Sequence, residues 1–326
     1  EPSKEERAIF AGHLSANSIK GPMQNGADGL HPFQFLRNHE RLLLDLKNEI
    51  GSDEYHQLLK SNWPTSQSLK TEHLKTLAAS VAKVGATPSD RILIRGGDTR
   101  LPGFLAPEFA NASITLLADD ARQKRILQIL YPQYEVIEGS VSELAKPDGF
   151  YDAIVNLEPS SGRTQKDGGL LLSKFLRHGG MMITGTSSGL MDSPNRNADR
   201  QKLSGWADLK AAYRLPKDDL EGISDSYDIM FLTKRERGQL IGGDAWWHEG
   251  SVLIEGGEPG SIYFSENPTH VIGTLTTKKL SYFRGATVVE EPRNPSGIRF
   301  SVLIAETLPD DLLVPRKLVR SKARVI

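Results

Sequence analysis

The stretch "SITLLADDARQKRILQILYPQYEVIEG", Ser113–Gly139, contains one complete strand–helix–strand unit. Its first part, "SITLLAD" (113–119), and its last part, "YEVIEG" (134–139), are short runs of apolar and β-branched residues. The segment between them, "DDARQKRILQILYP" (119–132), carries apolar residues at helical spacing. Two strands joined through a helix run parallel in one sheet, so this stretch predicts a parallel sheet covered by helices.

The same alternation continues on both sides of this unit. The other strand-like runs are "RILIR" (91–95), "YDAIVNL" (151–157), "GGMMITGT" (179–186), "DLKAAYRL" (208–215) and "YDIMFLTKRE" (227–236). Helical periodicity recurs in "TEHLKTLAASVAKV" (71–84) and "GGLLLSKFLRH" (168–178). Together the runs predict an α/β, doubly wound, Rossmann-like sheet of seven mostly parallel strands, with any ligand at the carboxyl ends of its first strands.

The chain divides into three parts on this pattern. Residues 1–65 are expected to form a helical extension that includes Phe33–Ile50, residues 66–236 the Rossmann-like domain, and residues 237–326 a β-rich appendage with alternating runs to about Ala305. The chain ends in a basic tail, whose cations are Arg316, Lys317, Arg320, Lys322 and Arg324. Such a run is typical of a solvated tail, and a contact with DNA is the alternative.

Composition excludes several classes of function. The net charge of -1 over 326 residues provides no global attraction to nucleic acid or to acidic membranes. The absence of cysteine excludes disulfides, thiolate metal sites and a cysteine nucleophile. The 8 histidines lack the close spacing of a metal site, so we predict no metal. No apolar run approaches the ~20 residues of a membrane span, and the start lacks a signal-like segment, so we expect a cytoplasmic protein without membrane partners.

Three segments carry a resemblance to a known family. They are "LLSKFLRHGGMMITGTSSGLMDS" (171–193), "WADLKAAYRLPKDDLEGISDSYDIMFLTKRE" (206–236) and "YFSENPTHVIGTL" (263–275). They resemble class I S-adenosylmethionine-dependent methyltransferases, and more narrowly the adenine-N6 DNA methyltransferases of large phage and plasmid proteins that also carry helicase domains. The resemblance implies an antiparallel last strand, S-adenosylmethionine as cofactor, DNA as partner and a phage, plasmid or mobile-element origin. A phage origin would imply a virion-associated location.

The loop after the first strand departs from the family. There the family has an acid and closely spaced glycines, which hold the methionine part of the cofactor. In "RILIRGGDTRLPGF", Ile94 stands in place of the acid and Arg95 follows it. The resemblance implies that a remnant of the cofactor-binding loop consists of Gly96, Gly97 and Asp98. A tight turn explains the two glycines equally well.

The second strand departs as well. Its final acid holds both ribose hydroxyls of the cofactor in the family, and Ala118 occupies that position here. Asp119 lies one residue further on, where the strand period of two turns it toward the other face. Asp119 is therefore either a displaced cofactor ligand or a cap for the helix that follows.

The third departure is in "YDAIVNLEPSSG" (151–162). The family has Asn/Asp-Pro-Pro-aromatic there, a loop that accepts hydrogen bonds from the adenine amino group and stacks on the extruded base. Asn156 is retained and Glu158 could accept a hydrogen bond, but Pro159 replaces the aromatic residue. Asn156 and Glu158 are thus the candidate catalytic residues, as remnants.

A fourth departure precedes the sheet, where "SQSLKTEHL" (66–74) lacks the family's aromatic-Thr-Pro element. Four losses favour a non-catalytic protein without a cofactor. It would act as a binding or assembly module for DNA, a protein partner, a virion component or a second copy of itself. The alternative is an active S-adenosylmethionine-dependent DNA adenine methyltransferase that uses Asp98, Asp119 and Asn156. A nucleotide-binding enzyme of another doubly wound family is a weaker third hypothesis, because G-x-G-x-x-G is absent after the first strand.

Overall fold

The structure is a computed structural model. It describes residues 48, 52, 69, 71–87, 89–96, 101–105, 109, 112–118, 123–124, 127–128, 131–157, 168–216, 219, 226–239, 246, 252–254, 258–279, 284–289 and 296–314. Almost all of the predicted helix Phe33–Ile50 lies outside these residues, and so does the whole basic tail.

Seven strands form one sheet. In chain order they are β1 Arg91–Arg95, β2 Ser113–Ala118, β3 Glu135–Glu138, β4 Tyr151–Asn156, β5 Leu176–Ser187, β6 Ala207–Leu215 and β7 Tyr227–Lys234. Their order in the sheet is β3-β2-β1-β4-β5-β7-β6. The first five strands pair in parallel, and β7 runs antiparallel to both β5 and β6. The predicted doubly wound, Rossmann-like sheet with an antiparallel last strand is confirmed.

Helices and two hairpins surround the sheet. The helices are α1 Thr71–Lys83, α2 Leu101–Leu105, a π-helical turn Leu171–Phe175, α3 Gly189–Asp192, α4 Asn197–Ser204, α5 Ile262–Glu266 and α6 Ser296–Thr307. The hairpins pair β8 Val252–Ile254 with β9 Glu258–Gly260, and β10 Thr274–Lys279 with β11 Arg284–Val289. Among the helices that the structure describes, none has the length and apolarity needed to cross a membrane.

Apart from the edge strand β3, whose residues are exposed or half-buried, the strands bury most residues of both faces, as continuous apolar runs predict. On one face, which we call the α1 face, residues such as Ile92, Val155 and Ile183 share a core with α1 and α6. On the other, the α3 face, residues such as Leu93 and Ile154 share a core with the π-helical turn and α3. The alternation fixes which side chains at the strand ends can meet.

Two predicted elements are corrected. Residues 296–307 form helix α6, where alternating strand-like runs to about Ala305 were expected. Apolar residues alternate here as in a strand, at Ile298, Phe300, Val302 and Ile304. Phe300 and Ile304 are also four residues apart, as on one face of a helix, and these two are the buried residues. The fifth strand begins at Leu176 and not at 179, because the helical segment before it ends at Phe175.

An edge segment, Tyr263–Ile272, covers the open side of β6. The Tyr263 hydroxyl accepts a hydrogen bond from the Ala212 amide at 3.0 Å. The His270 Nδ1 lies 3.0 Å from the Ala212 carbonyl oxygen, and the Ile272 amide donates to the carbonyl oxygen of Arg214 at 2.9 Å. An uncovered edge strand invites pairing with another chain, so this segment protects the sheet.

Candidate functional site

The carboxyl ends of the parallel strands meet at one edge of the sheet, which we call the carboxyl edge. Arg95 ends β1, Ala118 ends β2 and Asn156 ends β4. Arg95 and Asn156 are direct partners in the pairing of β1 with β4. Doubly wound sheets bind their ligands at this edge, so it is the candidate functional site.

The two strand ends that hold the cofactor in the resembled family carry no carboxylate among the described residues. Ile94 is 4% exposed and Ala118 is 0% exposed, and both belong to the apolar core of the α1 face. The Ala118 carbonyl accepts a hydrogen bond from the Gly139 amide at 3.0 Å. These residues do not fit the ammonium group or the ribose hydroxyls of S-adenosylmethionine, because neither offers a charged acceptor.

Gly96 takes a left-handed backbone conformation, with φ of 81°. This conformation is easy for glycine and strained for most other residues, so the glycine serves the turn that follows β1. The structure does not describe Gly97, Asp98 and Asp119, and their predicted roles stay predictions.

Arg95 is buried at the end of β1, on the same side of the strand as Leu93. Its guanidinium is thus on the α3 face, as is the side chain of its pairing partner Asn156. A positive charge at this strand end disfavours a cationic ligand such as a sulfonium, because like charges repel.

Asn156 is enclosed by protein. Its side chain is 0% exposed, and its Nδ2 donates to the Thr184 hydroxyl at 3.3 Å. Its Oδ1 has no hydrogen-bond partner among the described residues. A buried acceptor left unpaired costs about 1–3 kcal/mol, so Asn156 is less fully satisfied by the described residues than a buried amide normally is.

The residue after Asn156 is fixed on both sides. The Leu157 amide donates to the Arg95 carbonyl at 3.1 Å, and the Leu157 carbonyl accepts from the Tyr227 hydroxyl at 2.9 Å. The Tyr227 side chain crosses Gly185 to reach the Leu157 carbonyl. A side chain at position 185 would place its Cβ only 1.7 Å from the tyrosine oxygen, so the close approach requires glycine there. Glu158 lies outside the described residues, as does Pro159.

Tyr227 and Gly185 were missed by the sequence reasoning. The one available signal was a glycine inside the strand-like run "MMITGT", since such a glycine marks a close approach by another group. Nothing in the sequence identifies Tyr227 as that group.

The segment that replaces the family's aromatic-Thr-Pro element is packed into the domain. Leu69 and His73 are buried, and the His73 Nε2 lies 2.7 Å from a carboxylate oxygen of Asp219, in the connection between β6 and β7. Phe300 of α6 contacts the His73 ring edge-on, with 5.3 Å between ring centroids. The described part of this segment therefore serves the core.

A second buried polar cluster lies on the same α3 face, and the sequence reasoning missed it. Arg214 donates to both carboxylate oxygens of Asp228 at 2.7 and 2.8 Å, and to both oxygens of Asp192 at 2.8 and 3.0 Å. Burial lowers the pKa of Arg214, but the two carboxylates outweigh burial and raise it. We call this group the Arg214 cluster, and it ties together β6, β7 and α3.

Metal-ligating side chains do not converge in the described part of the chain. No group of three or more His, Asp or Glu side chains there could hold a metal ion.

The sequence matches no protein-family model and no curated protein. Solved structures similar to this one include the 23S rRNA methyltransferase ErmE, at 18% identity and a TM-score of 0.40, over 53% of this chain and 72% of that chain. A putative sarcosine dimethylglycine methyltransferase from Galdieria sulphuraria has 12% identity and a TM-score of 0.41, over 58% of this chain and 98% of that chain.

P. horikoshii TYW2, solved in complex with MeSAdo, has 10% identity and a TM-score of 0.38, over 49% of this chain. The match covers 61% of the TYW2 chain, less than two thirds of its length. At these identities the similarity concerns the fold and does not extend to substrate or activity.

Proposed function

We propose that this protein is a non-catalytic, methyltransferase-like binding or assembly module. We further propose that it descends from adenine-N6 DNA methyltransferases of phage, plasmid or other mobile-element origin. The observation that carries the proposal is the packing of Ile94 and Ala118 into the apolar core. A carboxylate at either position would be a charge buried among apolar side chains, which is strongly unfavourable unless it is paired. One substitution would therefore not restore the cofactor site.

The end of β4 supports the same proposal. An enzyme that methylates an adenine amino group must take the base out of the duplex and offer it acceptors and a stacking surface. Asn156 is enclosed, and the Leu157 carbonyl already accepts from Tyr227. An incoming base would have to displace this packing before it reached an acceptor.

Calorimetry with S-adenosylmethionine and with S-adenosylhomocysteine tests the proposal. We expect weak binding or none for both ligands, because both carry the ammonium group and the ribose that the described strand ends do not fit. Binding of either with a Kd of about 1 μM, or about -8 kcal/mol, would contradict the proposal.

The second candidate is an active DNA adenine methyltransferase with a rearranged site. It is favoured by Asn156, whose Oδ1 has no described partner at the strand end where the family accepts the amino group. The test is transfer of label from tritiated S-adenosylmethionine to single- and double-stranded DNA of mixed sequence. Transfer that Asn156→Ala abolishes would establish this candidate. The absence of transfer would support the non-catalytic proposal, and transfer unaffected by that change would point to a contaminating methyltransferase.

Changing Pro159 to Tyr provides a stricter form of this assay. The variant returns a stacking side chain to the loop and leaves Ile94 and Ala118 as they are. We expect it to remain inactive, since methyl transfer also needs the cofactor held and aligned, and misplacement alone costs ~100-fold in rate.

DNA is the partner that the basic tail would bind. The last described residue, Val314, donates a backbone hydrogen bond to Gly179 at 3.0 Å, close to the start of β5. Val314 therefore lies near the edge of the sheet where the strands begin, away from Asn156, and the tail would contact the DNA backbone. Truncation after Val314 should weaken binding and make the log-log salt slope shallower by about 0.9 for each phosphate that the tail neutralises. An unchanged affinity and slope would show that the tail does not bind DNA.

A further inference from the structure

An exposed tryptophan lies at the edge of the sheet where the parallel strands begin. Trp206 immediately precedes β6, and it is the aromatic one among the large apolar side chains that are exposed in the described part of the chain, with 48% of its surface accessible. Its carbonyl accepts a hydrogen bond from the Arg235 amide at 3.0 Å, just after β7 ends. Asn156 ends β4 at the opposite edge, so Trp206 is separate from the candidate site.

Lysine side chains surround the tryptophan ring. The Lys234 Nζ lies 5.8 Å from the ring centroid, within the range of a cation–π contact. Lys234 is buried and its Nζ donates to the Ser173 carbonyl at 2.7 Å, so the inner side of the ring faces the π-helical turn. Lys174 is exposed on that turn, and Lys202 is exposed in the last turn of α4, four residues before Trp206. The accessible part of the ring is therefore flanked by positive charges.

The exposed charges near the ring are mostly positive. Burial lowers the pKa of Lys234 to about 8, while the nearby charge of Asp148 raises it and that of Arg237 lowers it. Asp148 and Arg237 are both exposed. The Glu236 carboxylate lies elsewhere, beside Gly179. We call the following exposed residues the Trp206 patch: Lys174, Lys202, Trp206 and Arg237.

This composition favours nucleic acid over a protein partner. Lysine is depleted in the cores of protein interfaces, whereas two lysines flank this ring. Proteins that bind single-stranded nucleic acid combine aromatic side chains, on which bases stack, with cations that follow the phosphates. Because the bases of a duplex already stack on one another, an aromatic ring on a protein surface has access to unpaired bases only.

Val314, which the basic tail follows in the chain, lies close to the Trp206 patch. Its amide donates to the Gly179 carbonyl in β5 at 3.0 Å, and two strand spacings, about 10 Å, separate β5 from β6. Residues 315–326 can span up to ~40 Å when extended. One strand of nucleic acid can therefore contact both the patch and the cations of the tail.

We propose that the Trp206 patch binds single-stranded nucleic acid. Trp206 stacks on an unpaired base, and the cations of the patch contact the phosphates on either side. The inference rests on the proposed DNA-binding function and adds to it a preference for unpaired bases. A DNA strand and an RNA strand present the same bases and phosphates, so the experiment includes both.

The test is fluorescence anisotropy of the full chain with labelled strands of about 20 nucleotides. The probes are oligothymidine, oligouridine, an abasic strand of equal length and a duplex of equal length. We expect the base-bearing single strands to bind at least about 5-fold more tightly than the abasic strand, which keeps the phosphates and lacks the stacking surface. The tighter of oligothymidine and oligouridine identifies the kind of strand.

A matched series of variants localises the binding. Trp206→Leu keeps an apolar side chain without an aromatic face, and it should weaken binding of the base-bearing single strands at least about 5-fold. The same variant should bind the abasic strand and the duplex as the unmodified chain does. Trp206→Tyr retains an aromatic face and should keep most of the affinity. Val302→Ala changes another exposed apolar residue, on α6, and should leave every affinity unchanged. Urea unfolding of each variant checks that the fold is retained.

The inference is overturned if Trp206→Leu binds both base-bearing strands as the unmodified chain does, or if the abasic strand binds as tightly as they do. It is equally overturned if sedimentation shows self-association that Trp206→Leu abolishes, because the ring would then belong to a protein interface. Truncation after Val314 tests the tail contact separately, since its loss should weaken duplex and single strands alike. Failure to bind any strand would contradict both the patch and the tail contact.

Discussion

Two buried polar groups on the α3 face of the sheet differ in how fully they are paired. The Arg214 cluster directs four donors to four carboxylate oxygens across three elements. Asn156, at the end of β4, has one weak hydrogen bond to Thr184 and an acceptor without a partner among the described residues. Buried polar groups are normally satisfied, so the first group is a structural tie, whereas the second has an acceptor that no described residue satisfies. Fully paired polar groups therefore stabilise the packing of β6, β7 and α3, whereas the polar group at the carboxyl edge is incompletely paired.

The largest effect that would sharpen this comparison comes from Arg214→Met. The change leaves the carboxylates of Asp192 and Asp228 buried without their cation, and we expect the free energy of unfolding to fall by about 3–5 kcal/mol. Urea unfolding followed by circular dichroism measures it. Lys210→Met, at an exposed position in the same strand, is the control and should change stability by less than about 0.5 kcal/mol. An Arg214→Met loss below about 1 kcal/mol would remove the distinction between the two groups.

Tyr227→Phe should have the next largest effect. It removes the only described donor to the Leu157 carbonyl, and leaving that buried acceptor unpaired should cost about 1–2 kcal/mol. Tyr213→Phe is the matched control, because the Thr307 hydroxyl that it abandons can still bond the Leu303 carbonyl. A loss from Tyr213→Phe equal to that from Tyr227→Phe would mean that the hydrogen bond to Leu157 has no special value.

Asn156→Leu tests the unsatisfied group directly. Replacing the amide by an apolar side chain of similar volume removes the unpaired acceptor, so stability should stay the same or rise by up to about 1 kcal/mol. Thr184→Val is the counterpart, since it strips Asn156 Nδ2 of its described partner and should lower stability by about 1 kcal/mol. A loss of more than about 2 kcal/mol in Asn156→Leu would show that Asn156 is structurally required.

The smallest effect concerns pH at the covered edge of β6. Burial lowers the pKa of His270, although the hydrogen bond to the Ala212 carbonyl opposes this. As pH falls through about 6.5, the unfolded chain takes up a proton there before the folded chain does, so His270 contributes a loss of stability toward acid pH. The unfolding free energy of the unmodified chain minus that of His270→Asn should therefore decrease from pH 8 to pH 5. A difference that stays constant or increases toward pH 5 would contradict the lowered pKa of His270 in the folded chain.

Most of the sheet could be predicted from the sequence, because its strands are continuous apolar runs separated by helical periodicity. The residue at which β5 begins could not be predicted from the sequence, because it depends on an interaction with a residue in another strand. The Arg177 Nε donates to the Asp152 carboxylate at 2.6 Å, across the pairing of β5 with β4. Helix α6 could not either, because its apolar residues satisfy strand and helix periods together and only packing against α1 decides between them.

The candidate site was predictable in position and only partly in content. The departures at Ile94 and Ala118 could be read from the sequence, and the structure adds that both side chains are core residues. The hydrogen bond of Tyr227 with Leu157 joins residues 70 positions apart, and the hydrogen bonds of the Arg214 cluster join residues 14 and 22 positions apart. Neither has a local sequence signal, because both depend on how strands are ordered in the sheet.

The backbone hydrogen bonds of residues 311–314 have a consequence for how the protein is made. The Leu313 amide donates to the Val84 carbonyl at 2.8 Å, and Phe300 and Ile304 complete the core over α1. These partners leave the ribosome about 230 residues after Val84, which corresponds to about 10–50 s at ordinary rates of synthesis. During that time the apolar side of α1 has no α6 to pack against. The nascent chain should therefore engage chaperones that bind exposed apolar segments until residue 314 has emerged.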